Sequence, residues 1–324
     1  MPEKEFCLLY EPWILVMKKD GKTEEVSLLD LFRHAPEYQR LAGELPTQDV
    51  AVLRLILAVL HAVFARKDLE GHDALFYSPA DALERWKALW DRGSFPMGII
   101  EDYLTHYEDR FYLFHPELPF YQVVGLDNAT EYPAAKLNGE LSESSNKIRL
   151  FPQRTGKDKG ALSYSEAARW LLYVNGYDDV SGSGKGRGET KRPKYGLGWL
   201  GRLGLIVAEG NSIFETLLLN LIFLRDGGLE LWGEEGIGKS YNITIPDNPS
   251  ALLTLQSRCL LLIREEGFVT GYMLIGRESF PEENAFTEQM TVWRNAAEKE
   301  TDSPEYHPKK HDPTRQVWRD FSAI

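Results

Sequence analysis

The chain has 324 residues, 43% of them apolar and 27% charged, which are ordinary proportions for a globular protein of two or three compact units. Aromatic residues make up 12%, enough for a large core, and this excludes disorder along the whole chain. Two cysteines, Cys7 and Cys259, cannot build a disulfide framework or a four-cysteine zinc site, and a net charge of −12 argues against indiscriminate binding of nucleic acid.

The first residues, Met1 to Glu5, are polar and lack a signal-peptide pattern, so a cytoplasmic location is expected. Trp13 to Lys18 reads as a strand, Asp20-Gly21 as a hairpin turn and Thr23 to Val26 as the return strand. Ser27 with Asp30 is a helix start for Leu28 to Arg33. Pro46-Thr47 precedes a long apolar helix near Asp49 to Arg66. Its apolar core, Val50 to Ala65, is shorter than the roughly twenty residues of a membrane span and predicts a buried core helix. His61 on this helix reads as a hydrogen-bonded core histidine. Ser78-Pro79-Ala80-Asp81 starts another helix, with Leu83, Trp86, Leu89 and Trp90 as its apolar face and Gly93 as its end. Ile99 to Tyr107 predicts a short helix.

Asp109 to Val124 reads as an irregular packed connection, and Asp127 to Gly160 as a long polar loop. Ser163 and Glu166 cap a helix running to Val174, stopped by Asn175-Gly176. Ser212 and Glu215 cap an apolar helix from Phe214 to Leu224. Arg258 to Arg264 and Phe268 to Ile275 flank Glu265-Glu266-Gly267 as a hairpin. The end, Pro304 to Ile324, is polar apart from Trp318 and Phe321, and no internal repeat occurs.

Three patterns bear on chemistry. Gly233 to Ser240 fits the phosphate-binding GxxxxGK[ST] string, which would make Gly238-Lys239-Ser240 the core of a nucleotide hydrolase. That site requires a helix after it, and Tyr241 to Pro246 is strand-like instead. His72-Asp73 and His311-Asp312 are HD dipeptides without the further ligands a metal hydrolase needs, and they read as exposed loops. The third pattern is electrostatic. Between Ser181 and Gly204 the cations Lys185, Arg187, Lys191, Arg192, Lys194 and Arg202 face a single acid, Glu189. Gly182, Gly184, Gly186 and Gly188 alternate with them, so backbone N–H groups and cations can approach a phosphate-lined groove closely. A flexible linker fits the same pattern equally well.

Several blocks, in order, resemble the CasA-type large subunit of the type I-E CRISPR Cascade complex. They are Glu11 to Ile14, Val26 to Leu31, Glu44 to Arg54, Asp109 to Pro116, Pro119 to Val123, Glu166 to Leu172, Phe214 to Asn220, Leu255 to Arg258 and Pro281 to Phe286. The resemblance implies a helix-rich α+β fold with small antiparallel sheets, hairpins and long loops. It makes residues 1–324 the N-terminal domain, with sub-lobes at 1–225 and 226–324. It implies a non-catalytic subunit that reads the protospacer-adjacent motif (PAM) of duplex DNA from the minor groove, aids strand separation and recruits a helicase-nuclease.

The DNA-binding residues implied are Gly182, Gly184, Lys185, Gly186, Arg187, Gly188, Lys191, Arg192, Lys194 and Arg277. A second loop, at the 5′ end of the guide RNA and facing other Cascade subunits, is implied at Asn146, Lys147, Arg149, Phe151, Arg154, Lys157 and Lys159. Neither a metal nor a cofactor is expected, nor contact with a membrane. The family's wedge hairpin and C-terminal four-helix bundle are expected beyond Ile324. Two alternatives stay open: the nucleotide hydrolase above, and a protein scaffold whose basic island binds an acidic partner without touching DNA.

Overall fold

A computed structural model describes residues 4–126, 129–139, 154, 159–178, 196–223, 246, 248–276, 281–283, 285–295, 305–312 and 314. Among them the chain is a mixed α+β structure in which helices are interleaved with small antiparallel sheets, as the sequence implies. Strand β1 is Glu5–Cys7, followed by β2 (Ile14–Lys18) and β3 (Thr23–Val26). The Asp20-Gly21 turn joins β2 to β3 in the register Ile14↔Val26 to Met17↔Thr23, and the Asp20 carboxylate accepts from the Lys22 N–H at 3.0 Å. β4 (Tyr38–Leu41) pairs on the other side of β2. Between them lies α1 (Leu28–His34), capped by the Ser27 hydroxyl, which accepts from the Asp30 N–H at 3.1 Å. Trp13 is fully buried beneath this sheet and donates its indole N–H to the Leu8 carbonyl at 2.9 Å.

Helix α2 (Pro46–Phe64) is the core of the molecule, and every residue from Ala51 to Phe64 is buried. It is 19 residues long and starts three residues before the expected Asp49. The fixed φ of Pro46 suits a first helical turn, and the side chains of Gln48 and Asp49 turn back to accept from the N–H groups of Glu44 and Gly43. It is the one helix among the described residues long and apolar enough to cross a membrane, but most of it is packed inside the fold. His61 is buried, with Nδ1 2.9 Å from the Ser250 hydroxyl.

Arg54 is a large charged side chain buried in this core. Its guanidinium donates in two parallel bonds to Glu288, at 2.9 and 2.8 Å, and the Trp199 indole donates to the same carboxylate at 2.8 Å. Burial alone would raise the pKa of Glu288. The Arg54 charge, with hydrogen bonds from Arg54, Trp199 and the Met290 N–H, outweighs burial and holds the carboxyl below its ordinary value.

Helix α3 (Pro79–Arg92) starts with the expected Ser78–Asp81 capping box and stops at Gly93, which takes the left-handed conformation that ends helices (φ 72°). Its apolar face differs from expectation. Leu89 is buried and Trp86 stacks on Trp90 at 5.2 Å, but Leu83 is 65% exposed. Contact is concentrated toward the C-terminal half, where the Trp86 indole donates to the Leu218 carbonyl at 2.7 Å. Helix α4 (Met97–His106) follows, then a 3-10 turn and β5 (Tyr112–Phe114), which pairs with β1.

The stretch read as a polar loop after Asp127 contains two elements, β6 (Thr130–Pro133) and α5 (Ala134–Leu137). β6 adds a third strand to the expected hairpin of β7 (Arg258–Glu265) and β8 (Phe268–Gly276), giving the order β6-β8-β7. Helix α6 (Tyr164–Tyr177) runs through Asn175 and Gly176 rather than stopping there. The Asn175 amide donates back to the Leu171 carbonyl at 3.1 Å. Helix α7 (Ile213–Leu219) ends five residues earlier than expected, where the Asn220 amide donates to the carbonyls of Thr216 and Ala208. α8 is Pro249–Leu253, and β9 (Trp293–Asn295) pairs with β10 (Tyr306–Pro308). One contiguous apolar cluster joins α2, α6 and α7 to the hairpin residues Leu260, Leu262, Val269 and Tyr272.

Candidate nucleic-acid interface

Helix α6 leads to the start of the basic segment. Its first turn is closed by a reciprocal cap, with the Ser163 hydroxyl accepting from the Glu166 N–H at 3.2 Å and the Glu166 carboxylate accepting from the Ser163 N–H at 2.9 Å. Arg154 forms an ion pair with that same carboxylate. Midway along, buried Arg169 donates to Glu44 (2.8 Å), Glu25 (2.7 Å) and the Trp13 carbonyl (2.6 Å), which locks α6 against the N-terminal sheet. At its end the helix meets a 3-10 turn, Trp199–Arg202. The approach is close enough that a Cβ at Gly198 would collide with the Gly176 carbonyl, so glycine is required there.

The end of α6 and the return of the chain are fastened together. Arg258, at the start of β7 and 2% exposed, donates to the carbonyls of Asp178, Gly196 (2.6 Å) and Ser257 (2.7 Å), and its Nε donates to the Asp178 carboxylate at 3.3 Å. The Gly198 N–H also donates to the Asp178 carbonyl at 3.0 Å. Asp178 and Gly196 therefore form a fixed stem for residues 179–195. Across the sheet, Arg258 pairs in register with Gly276, the residue before Arg277. The described ends of the Gly182–Lys194 segment and the strand leading to Arg277 thus converge on one buried arginine.

The side chains expected on DNA, namely Gly182, Gly184, Lys185, Gly186, Arg187, Gly188, Lys191, Arg192, Lys194 and Arg277, lie outside the described residues. So do Asn146, Lys147, Arg149, Phe151 and Lys157 of the second loop, and the whole Gly233–Ser240 string. Arg154 is engaged with Glu166, and Lys159 is partly exposed. The HD dipeptides are in surface loops. His72 is exposed beside Asp68, Asp73 pairs with Lys67 at 2.7 Å, and His311 lies 2.9 Å from the Leu205 carbonyl.

Among the described residues, two groups bring possible metal-ligand atoms within 4.8 Å of one another: Asp68, Glu70 and His72, and Glu283, Glu305 and His307. In the first, the Asp68 carboxylate already accepts from the N–H groups of Glu70 and His72, as an ordinary loop closure does. Nothing in the residue type of Arg258 marks it as buried, because arginine is ordinarily a surface charge. Its signal was its place beside Cys259 and Leu260 at the mouth of a strongly apolar strand.

Residues 8–324 match the family model described as CRISPR-associated protein Cse1. A CRISPR-associated protein CasA/Cse1 from Thermus thermophilus is 31% identical over 335 residues, covering 99% of this chain and 60% of that protein. The crystal structure of Thermobifida fusca Cse1 superimposes with a TM-score of 0.79 at 28% identity, covering 100% of this chain and 62% of that one. A chain of a CRISPR RNA-guided surveillance complex shares the fold with a TM-score of 0.77 at 20% identity, covering 98% of this chain and 64% of that one. The chain belongs to the Cse1 family of CRISPR-associated proteins. It spans about three fifths of the length of these relatives.

Proposed function

We propose that this chain is the DNA-reading part of a Cascade large subunit. It contacts PAM-bearing duplex through Gly182 to Lys194, with Arg277 close by, and it is not itself a catalyst. Residues 146–159 contact the 5′ end of the guide RNA and neighbouring subunits in the cytoplasm. Strand separation and recruitment of the helicase-nuclease follow once the duplex is held. The observation that carries this reading is the stem. Arg258 holds Asp178 and Gly196 together and sits opposite Gly276, so the cationic segment and the strand leading to Arg277 start from one rigid point. With a net charge of −12 the body repels DNA, so contact is confined to that point and is completed by neighbouring subunits.

The test replaces Lys185, Arg187, Lys191 and Arg192 with Ala in a reconstituted complex and measures target-duplex affinity against salt. Each phosphate contact adds about 0.9 to the slope of log K against log salt. Loss of four contacts lowers the slope by about three to four. Unchanged affinity and slope would refute the reading.

A further inference from the structure

The segment that follows β5 runs along the edge of β7 that β8 leaves unpaired. The Val123 N–H donates to the Leu260 carbonyl at 2.9 Å. The Gln122 amide, 6% exposed, bridges the two sides. Its Nε2 donates to the carbonyls of Leu113 (2.7 Å) and Phe120 (3.2 Å), and its Oε1 accepts from the Leu262 N–H at 2.8 Å. Beside it, Tyr121 holds a left-handed backbone (φ 53°), which is strained for a bulky aromatic residue. Residues 115–123 are thus a strap, strained at Tyr121 and clasped on β7 by Gln122 and Val123.

The clasp at the other end is a histidine. His115 Nδ1 accepts from the N–H groups of Glu117 (3.1 Å) and Leu118 (2.9 Å), so the ring carries its single proton on Nε2, an atom shielded from solvent. A second proton has to go to Nδ1, where it would point at two N–H groups. Both bonds would be lost, and like partial charges would face each other. Burial disfavours the charged ring and holds its pKa below the ordinary histidine value. The surrounding charges oppose one another. Asp109 and Glu117 favour the imidazolium, Lys4 and Arg110 disfavour it, and Lys4 is itself paired with Asp109. The Tyr112 ring of β5 lies 6.4 Å away.

We propose that residues 115–123 form a proton-released strap over the free edge of β7. Above the ordinary histidine range the ring is neutral and the His115–Leu118 turn is closed. As pH falls through that range the closed strap resists the proton and the open strap takes it, so the stability of the closed form is lost toward acid. The turn lets go, the strain at Tyr121 is relieved, and the Leu260 carbonyl and Leu262 N–H come free on the edge. The strand they belong to begins at Arg258, so the change lies beside the stem of residues 179–195. The inference does not depend on what that segment binds.

The full chain is followed by amide hydrogen exchange from pH 7 to pH 5, corrected for intrinsic rates. Protection of the Leu118, Val123 and Leu262 amides is expected to fall about fivefold, the worth of one neutral hydrogen bond. His115→Asn keeps an acceptor for the same two N–H groups and cannot gain a proton, so its protection should lack this fall. Asp49 titrates in the same interval, but it acts in the opposite sense and is unchanged in the variant. Should the variant fold poorly, the ring carbon resonance of His115 in the parent gives a second reading, with a midpoint expected below that of free histidine. Protection at Leu262 that does not fall, an equal fall in parent and variant, or a His115 midpoint at or above that of free histidine would overturn the proposal.

Discussion

Replacing Arg258 with Met keeps the length and most of the volume of the side chain but removes its charge and all five donors. In the structure those donors serve the carbonyls of Asp178, Gly196 and Ser257 and the Asp178 carboxylate. The buried Ser257 carbonyl and the part-buried carbonyls of Asp178 and Gly196 each lose a charge-assisted bond, and the Asp178 carboxylate is left partly open to water. At about 1–1.5 kcal/mol per bond, discounted for the exposed Asp178 end, the loss is about 2–4 kcal/mol. Equilibrium urea unfolding reads that number directly. Hydrogen exchange should place the damage at the end of α6 and at residues 196–198, with the N-terminal sheet unaffected. In an assembled complex, target affinity should fall at least tenfold, because the cationic segment no longer starts from a fixed point. Arg258→Lys should recover less than half of the stability, since a single ammonium cannot span two carbonyls as a planar guanidinium does. A Met variant with the stability and exchange pattern of the parent would refute the claim that Arg258 closes the stem.

Two further outcomes follow from the same geometry and from the core. Gly198→Ala should cost about 1–3 kcal/mol, because the new methyl has to push the Gly176 carbonyl aside; urea midpoints measure it. Asp49 gives a pH signature: burial raises its carboxyl to about 6, only partly opposed by the Gly43 N–H. The folded state therefore holds this proton more tightly than the unfolded chain, and the Asp49 contribution to stability is lost as pH rises from about 4 to about 6. Asp49→Asn, which can still accept from Gly43, should remove that contribution and stabilise the chain at pH 7 by about 1–2 kcal/mol after allowance for partial exposure. Urea midpoints of parent and Asp49→Asn taken every half pH unit would show it, and a difference between the two that does not grow over that interval would refute it.

What could be read in advance was local. The starts of α1, α3, α6 and α7 were legible because a serine followed three residues later by an acid satisfies the first turn of a helix from within. The β2–β3 and β7–β8 hairpins were legible because a glycine-bearing turn and alternating residues lie next to each other in sequence. β1, β5 and β6 were missed because their partners are remote: Glu5 faces Phe114, and Thr130 faces Leu274. α6 runs past the Asn175-Gly176 stop signal because Gly176 is helical and small to admit Gly198 and Leu200. Of the candidate site, the basic composition was visible, but its anchoring was not. Arg54, Arg169 and Arg258 have the same one-letter code as surface cations, and only tertiary structure reveals them buried.

The Arg54–Glu288–Trp199 node has a consequence for biosynthesis. The guanidinium enters the core with α2, early in translation, while the carboxylate that neutralises it emerges more than two hundred residues later. Until Glu288 arrives, the central helix carries a bare cation that opposes collapse of the surrounding apolar residues. A nascent or prematurely terminated chain therefore cannot settle into a persistent imitation of the finished molecule. It stays open to chaperones and proteases until the node closes.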